Sequence, residues 1–423
     1  MLEDVFAYRN GALFCEDAGL TTLAAAHGTP AYVYSQRGII GRFQAYEDAL
    51  SGLPHRVCYA VKANSNLAVL SVLAKQGAGF DIVSGGELYR VIKAGGDPGS
   101  VVFSGVGKTE AEIRFALENR IHSFNCESEA ELELISRVAS SLRLTASIAI
   151  RVNPDVDAQT HPYISTGLRA HKFGIDIHEA EALYTRAAQL PALAPVGVSC
   201  HIGSQLLDMN PLLEAADKTI ALIERLRSRG FNIRYLDLGG GLGVPYRPGE
   251  SAVLPAALLD RIRPKLAALD LTLMLEPGRS IVAEAGILLT RVLLVKRNAE
   301  KTFVIVDAGM NDLIRPALYQ AHHQIVPVEQ SANSEEINVD IVGPVCETGD
   351  FFAHNRALPA VAPGSLLAIL TAGAYGFALS SNYNSRPRPC ELLVDGTNVR
   401  TARQRETLEA LVQGEEAFTA NPH

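Results

Sequence analysis

Several things are scarce or missing in this 423-residue chain. Its six cysteines (Cys15, Cys58, Cys126, Cys200, Cys346, Cys390) form no C-x-x-C pair. Neither a disulfide framework nor a structural zinc or other metal site is indicated, and a reducing compartment fits best. No run reaches the ~18 uninterrupted apolar residues of a membrane helix, and the N-terminus MLEDVFAYRNGALFCEDAG has no basic segment followed by an apolar core. We therefore expect a cytoplasmic protein with no membrane partner. A basic excess is missing too: the formal net charge of -8 speaks against nucleic acid or an anionic membrane as the main partner. No repeat, heptad or low-complexity tract stands out, and only the tail QGEEAFTANPH looks frayed. What remains is ordinary globular usage, 48% hydrophobic and 20% charged. The length calls for two or three domains, or one large barrel with a smaller partner.

Between residues 57 and 276 short apolar runs alternate with helix-period segments. Eight runs qualify as strands: VCYAVK, GFDIVS, VVFS, IHSFN, SIAIRVN, VGVSCHIGS, YLDLGGG and LTLMLEPG. Between them, Thr109 with Glu112 predicts a capping box, Asn210-Pro211 an N-cap with a first-turn proline, and Gly230 a helix stop. Eight strand-helix repeats predict a (β/α)8 TIM-like barrel over 34–281, since a doubly wound sheet more usually stops at five or six strands. After residue 281 the texture changes to ILLTRVLLV, TFVIVDAG, INVDIVG, LLAIL and ELLVDG, which predicts an antiparallel β domain over 282–423. Residues 1–33, with the hairpin-like VFAYRNGALFCE, are too short to fold alone and are expected to pair with that domain.

In a (β/α)8 barrel the chemistry sits where the strands end. Polar residues stand at those ends here: Lys62, Asp81, Ser104, Asn125, Arg151, His201, Gly239 to Gly241, and Glu276. The glycines of LDLGGGLG, followed by EPGRS after the eighth strand, suit a phosphate pocket, although they can also simply turn the chain. A lysine closing a buried strand beside such a pocket suggests a Schiff base with pyridoxal 5'-phosphate, because the imine removes an ammonium charge that burial penalises. An ion pair of Lys62 with Asp81 is the plainer alternative. Glu276 can then face the pyridine nitrogen and His201 the ring, though a lone histidine is as readily a core residue.

The motifs YAVKANSN, FDIVSGGEL, RVNPDVDAQTHPYISTG, HKFGI, HIGSQ, LDLGGGLG, EPGRSIV, VDAGMNDLIRPALY, GPVCETGDF and AGAYGFALSSNYNSRPRP occur in this order. Together they closely resemble the bacterial diaminopimelate decarboxylase family, of the alanine racemase-like (fold type III) pyridoxal phosphate enzymes. The resemblance implies a barrel joined to a β domain and a homodimer with active sites shared across the interface. It makes Lys62 the cofactor lysine and Cys346 the proton donor. Cofactor contacts fall to Asp81, His201, Ser204, Gly239, Gly240, Gly241, Glu276, Pro277, Gly278, Arg279 and Tyr375, and substrate contacts to Arg279, Arg315, Tyr319, Glu347 and Tyr375.

The implied reaction releases carbon dioxide from meso-2,6-diaminopimelate to give L-lysine, the last step of lysine biosynthesis. A thiol with an unperturbed pKa of about 8.5 is mostly protonated at neutral pH and can donate. The distal carboxylate of that substrate calls for a cation, Arg279 and Arg315, and its distal ammonium for an anion, Glu347. Rival readings are a fold type III decarboxylase of ornithine, arginine or a carboxylated polyamine, an amino acid racemase, and a non-catalytic homologue that keeps the cofactor. The stretch from Pro154 to Phe173 is expected to act as a lid.

Overall fold

The computed structural model describes residues 5–157, 173–267, 269–330 and 335–416. Most of the expected lid, 158–172, lies outside them. The described chain divides into two compact units, one over Gln36–Ala285 and one combining the segment up to Ser35 with the chain from Gly286 onward.

The first unit is a closed barrel of eight parallel strands: β1 (His55–Ala60), β2 (Gly79–Ile82), β3 (Val101–Phe103), β4 (Ser123–Cys126), β5 (Ala146–Asn153), β6 (Leu193–Cys200), β7 (Tyr235–Asp237) and β8 (Thr272–Leu275). Each pairs with the next, and β8 pairs back with β1. All eight expected runs are strands, and their hydrophobicity follows from burial on both faces. Seven helices follow the first seven strands: α2 (Leu67–Lys75), α3 (Gly85–Lys93), α4 (Glu110–Glu118), α5 (Glu129–Leu142), α6 (Ala180–Gln189), α7 (Asn210–Ser228) and α8 (Pro255–Leu266). The eighth place is taken by α1 (Gln36–Leu50), which precedes β1 and packs against α2 and α8.

Local signals account for several boundaries. Thr109 and Glu112 form the expected reciprocal capping box at the start of α4. Gly230, at φ +88°, lies just beyond the end of α7, where a left-handed residue is needed to leave the helix. At the other end of α7 the expectation is off by one residue. Asn210 is the first helical residue and Met209 takes the cap position, because Asp208 already accepts from the Asn210 N–H at 3.0 Å. Inside the barrel, Tyr235 fills the space among Cys58, Val102, Ala149 and Met274. A Cβ on Gly197 would stand 2.1 Å from its ring, so this close approach admits only glycine.

The second unit is built on a sheet ordered Phe351–Pro359, Glu336–Val342, Thr302–Val306, Gly286–Arg297, Ala31–Ser35, Cys390–Asp395, Asn398–Arg403. Every expected run forms a strand. The sheet is nevertheless mixed rather than wholly antiparallel: Thr302–Val306 runs parallel to Glu336–Val342, and Ala31–Ser35 parallel to Cys390–Asp395. Both parallel pairs join segments far apart in the chain, as a parallel connection requires. Near the N-terminus Phe6–Arg9 and Ala12–Cys15 form a hairpin turned by Asn10-Gly11, both at positive φ. Leu13 N–H donates to the Val328 carbonyl at 2.8 Å, tying this hairpin to the same unit. Among the described residues no helix is long and apolar enough to cross a membrane.

Candidate active site

The strand order brings the polar ends of the barrel together. The chain leaves β1 in a single 3-10 turn, Val61–Ala63, which presents Lys62 beside β2. There its Nζ pairs with Asp81 Oδ2 at 2.5 Å, the ion pair of the plainer alternative. Asp81 is fully buried while Lys62 keeps about a third of its surface, so the pair sits at the edge of the barrel core. Half-buried Glu87 lies nearby; burial pushes its carboxyl up to about 7, against the opposing pull of the Val83 N–H that it accepts.

Deeper in, Glu276 at the end of β8 and Asp237 at the end of β7 are buried together. Asn125 of β4 reaches both, its Nδ2 lying 3.2 Å from Glu276 Oε1 and 3.2 Å from Asp237 Oδ2, and 3.1 Å from Ser104 Oγ of the β3 end. Burial, then the negative charges of Asp237 and Asp81, push Glu276 well above the usual carboxylate range. His201, just past β6, is held well below its ordinary value by burial and by the charges of Arg151 and Lys62, so it stands here as a neutral ring.

Gly239, Gly240 and Gly241 follow β7. A Cβ on Gly239 would lie 2.7 Å from the Cys200 carbonyl, one on Gly240 2.3 Å from the Glu276 carbonyl, and one on Gly241 2.8 Å from the Gly203 carbonyl. The glycines thus let the ends of β6, β7 and β8 close on one another. They also leave donors available: the Gly240 and Gly241 amides donate to no acceptor among the described residues. Beside them Arg279, buried after Pro277-Gly278, gives Nη1 to Tyr246 Oη at 2.8 Å and Nη2 to Ser204 Oγ at 3.0 Å.

These residues fit pyridoxal phosphate. Free backbone amides beside a serine and an arginine suit its phosphate. Asp81 Oδ1 is buried with no hydrogen-bond partner among the described residues, and Lys62 supplies the amine for its aldehyde.

The remaining expected residues lie in the second unit. Arg315 is buried at the start of the helix Arg315–Tyr319, its Nη1 2.9 Å from His323 Nε2, while His323 Nδ1 lies 2.8 Å from the Leu370 carbonyl. Cys346 and Glu347 are exposed on a turn. That turn is held by Asp350, which accepts from Val345 N–H and from Met310 N–H, both at 2.6 Å. Asn384 Oδ1 accepts from the Cys346 N–H at 2.9 Å. Tyr375 sits at φ 56°, a conformation that costs a bulky residue energy. The next residue, Gly376, packs on Tyr32, whose hydroxyl donates to the Asp312 carbonyl at 2.6 Å. Hydrogen bonds therefore gather the Cys346 turn, the lead into the Arg315 helix and the 375–384 segment into one cluster.

Sequence reading did not single out Asp237, or the side-chain network that Asn125 and Lys108 build under the site. Lys108 is wholly buried, paired with Glu131 at 2.5 Å and donating to the Asn125 carbonyl at 2.8 Å. Asp237 had a visible signal, an acid inside an apolar run ending in glycines.

Residues 36–283 match the family described as pyridoxal-dependent decarboxylase, pyridoxal binding domain. The chain is 57% identical to a diaminopimelate decarboxylase of Pseudomonas aeruginosa over 412 residues, 97% of this chain and 99% of that one. It is 54% identical to the diaminopimelate decarboxylase of Pseudomonas fluorescens over 97% of this chain and 99% of the other. The crystal structure of diaminopimelate decarboxylase from Helicobacter pylori complexed with L-lysine is similar at a TM-score of 0.90 and 46% identity, covering 93% of this chain and 98% of that one. A matched pyridoxal-binding barrel and near full-length identity to these enzymes make this chain a pyridoxal phosphate-dependent carboxy-lyase that belongs to the diaminopimelate decarboxylase family.

Proposed function

We propose that this enzyme converts meso-2,6-diaminopimelate to L-lysine and carbon dioxide, with Lys62 as the covalent anchor of pyridoxal phosphate. The observation that carries the reading is the convergence of Lys62, Asp81 and Glu276 at one barrel mouth beside open glycine amides. When bound, pyridoxal phosphate supplies the electron sink that loss of a carboxylate requires. Glu276 would pair with the ring nitrogen, and His201, neutral, would face the ring without adding charge. Ser204, the Gly240 and Gly241 amides and the Glu276–Arg279 stretch, Pro277 and Gly278 included, hold the phosphate; Gly239, whose amide donates to Asp237, turns the chain into this cradle, and Tyr375 contributes to cofactor and substrate. Asp81 keeps the Lys62 amine at the mouth of the free enzyme.

Cys346 donates, from Sγ, the proton that replaces the departing carboxylate. It is the one exposed cysteine; the other five are buried. A proton donor in contact with bulk water protonates unselectively, so the Cys346 turn calls for cover. A second copy of this chain provides it, with active sites shared across a homodimer. By charge, Arg279 and Arg315 suit the distal carboxylate and Glu347 the distal ammonium, with Tyr319 as a further substrate contact. Free thiols on all six cysteines support a reducing, cytoplasmic setting.

A substrate panel that follows carbon dioxide release tests the reading. Turnover of meso-diaminopimelate should far exceed that of ornithine, arginine or lysine; a faster reaction with ornithine overturns the assignment.

A further inference from the structure

Asp237 has no part in the chemistry assigned so far, yet it is fully buried in the barrel at the end of β7. Its Oδ1 accepts from the Gly239 N–H at 2.8 Å, and its Oδ2 lies 3.2 Å from Asn125 Nδ2 and 3.5 Å from Ser199 Oγ. These donors favour an ionised carboxylate at Asp237. Glu276 Oε1 lies 3.2 Å from the same Asn125 Nδ2, so the two buried carboxyl groups flank one amide nitrogen. Two buried carboxylates on one amide do not both ionise, so the pair holds a proton. With Asp237 supplied with donors, the proton resides on Glu276.

We propose that Asp237 is a positioning residue for the cofactor's nitrogen: its carboxylate makes Glu276 a strong base and holds with it the proton that the pyridine ring receives. On cofactor binding the Glu276 O–H bond breaks and the ring N–H bond forms. Both carboxylates are then ionised beside one pyridinium, and no proton is drawn from solvent. In the loaded enzyme two anions face that cation instead of one, so the ring nitrogen holds its proton to higher pH. The groups bearing on the pair from neighbouring strands are Asp81 of β2, Lys62 beyond β1, and the thiols of Cys58 and Cys200. Burial pushes both thiols up, so they stay neutral and add no charge. The inference rests on the reading of Glu276 as the partner of the ring nitrogen.

The test is the nitrogen-15 shift of ring-labelled pyridoxal phosphate in the full-length holoenzyme, followed with pH. Wild type should keep the ring nitrogen protonated across the range in which the enzyme is stable. Asp237→Asn should lose the proton with a midpoint lower by about one pH unit or more, the scale of one like charge removed from a buried site. Superimposable wild-type and Asp237→Asn titrations overturn the role of Asp237. Glu276→Gln separates the underlying reading: if it too titrates as wild type, Glu276 is not the nitrogen's partner. Should Asp237→Asn yield no soluble enzyme, infrared spectroscopy of the wild type decides. A protonated-carboxyl band that is absent in Glu276→Gln and lost on adding pyridoxal phosphate supports the shared proton. Its absence from the cofactor-free wild type overturns it.

Discussion

The barrel mouth and the Cys346 turn carry the two halves of the proposed chemistry in opposite settings. Asp81, Asp237, Glu276, Arg151 and Arg279 are buried and meet partners from neighbouring strands, whereas Cys346 and Glu347 stand exposed on a turn held by the Asp350 and Asn384 side chains. Burial makes the first region electrostatically specific before any ligand arrives, because charges in a low dielectric displace one another's proton affinities. The second region acquires that character only when something covers it. The contrast is why a shared site in a dimer is proposed for the thiol and none is needed for the lysine.

The sharpest break of the comparison removes one residue from each region. Lys62→Ala should lower decarboxylation by about four orders of magnitude or more, as loss of a covalent anchor does. Cys346→Ala should lower it by about 10²–10⁴-fold, the usual share of a general acid, while leaving the cofactor absorbance intact; an unchanged rate removes Cys346 from the mechanism. Mixing the two inactive variants and allowing subunits to exchange should restore up to about a quarter of wild-type activity, the statistical yield of one intact shared site per heterodimer. No recovery despite demonstrated exchange would place each site within one chain.

Smaller effects sharpen the picture of the barrel. Lys108→Met strands the buried Glu131 carboxylate, so denaturant melts should show a loss of about 3–5 kcal/mol. Glu87 concerns pH. Its folded carboxyl titrates at about 7 against an ordinary 4.5, so the folded state binds its proton more tightly than the unfolded state. That contribution favours folding at low pH and is lost as pH rises from about 4.5 towards about 7. Glu87→Gln should therefore flatten the fall in cofactor-free Tm across that window; an unaltered slope assigns the dependence elsewhere. Thr109→Ala, which removes one half of the α4 capping box, should cost about 1 kcal/mol.

The barrel was legible because every one of its strands is buried on both faces and therefore reads as an apolar run. The second unit was less so. Its buried central strand Ala31–Ser35 and the short Ile325–Pro327 went unread, as did Phe351–Pro359 and Asn398–Arg403, which are the two sheet edges, with exposed residues such as His354, Asn355 and Arg400. An edge strand needs no continuous apolar pattern. Lys62 and Glu276 stood out because they interrupt or end apolar runs. Asp237 did so too, but a single sequence does not show that β7 and β8 are neighbours and that Asn125 of β4 reaches both. The mixed strand directions were hidden for the same reason: Ala31–Ser35 meets Cys390–Asp395 across more than the whole barrel.

The covalent role of Lys62 is tested most directly by borohydride reduction of the purified enzyme followed by peptide mapping. A reduced pyridoxyl group on the peptide carrying Lys62, and on no other, is the predicted result. A label on another lysine, or none on an active enzyme, contradicts the account.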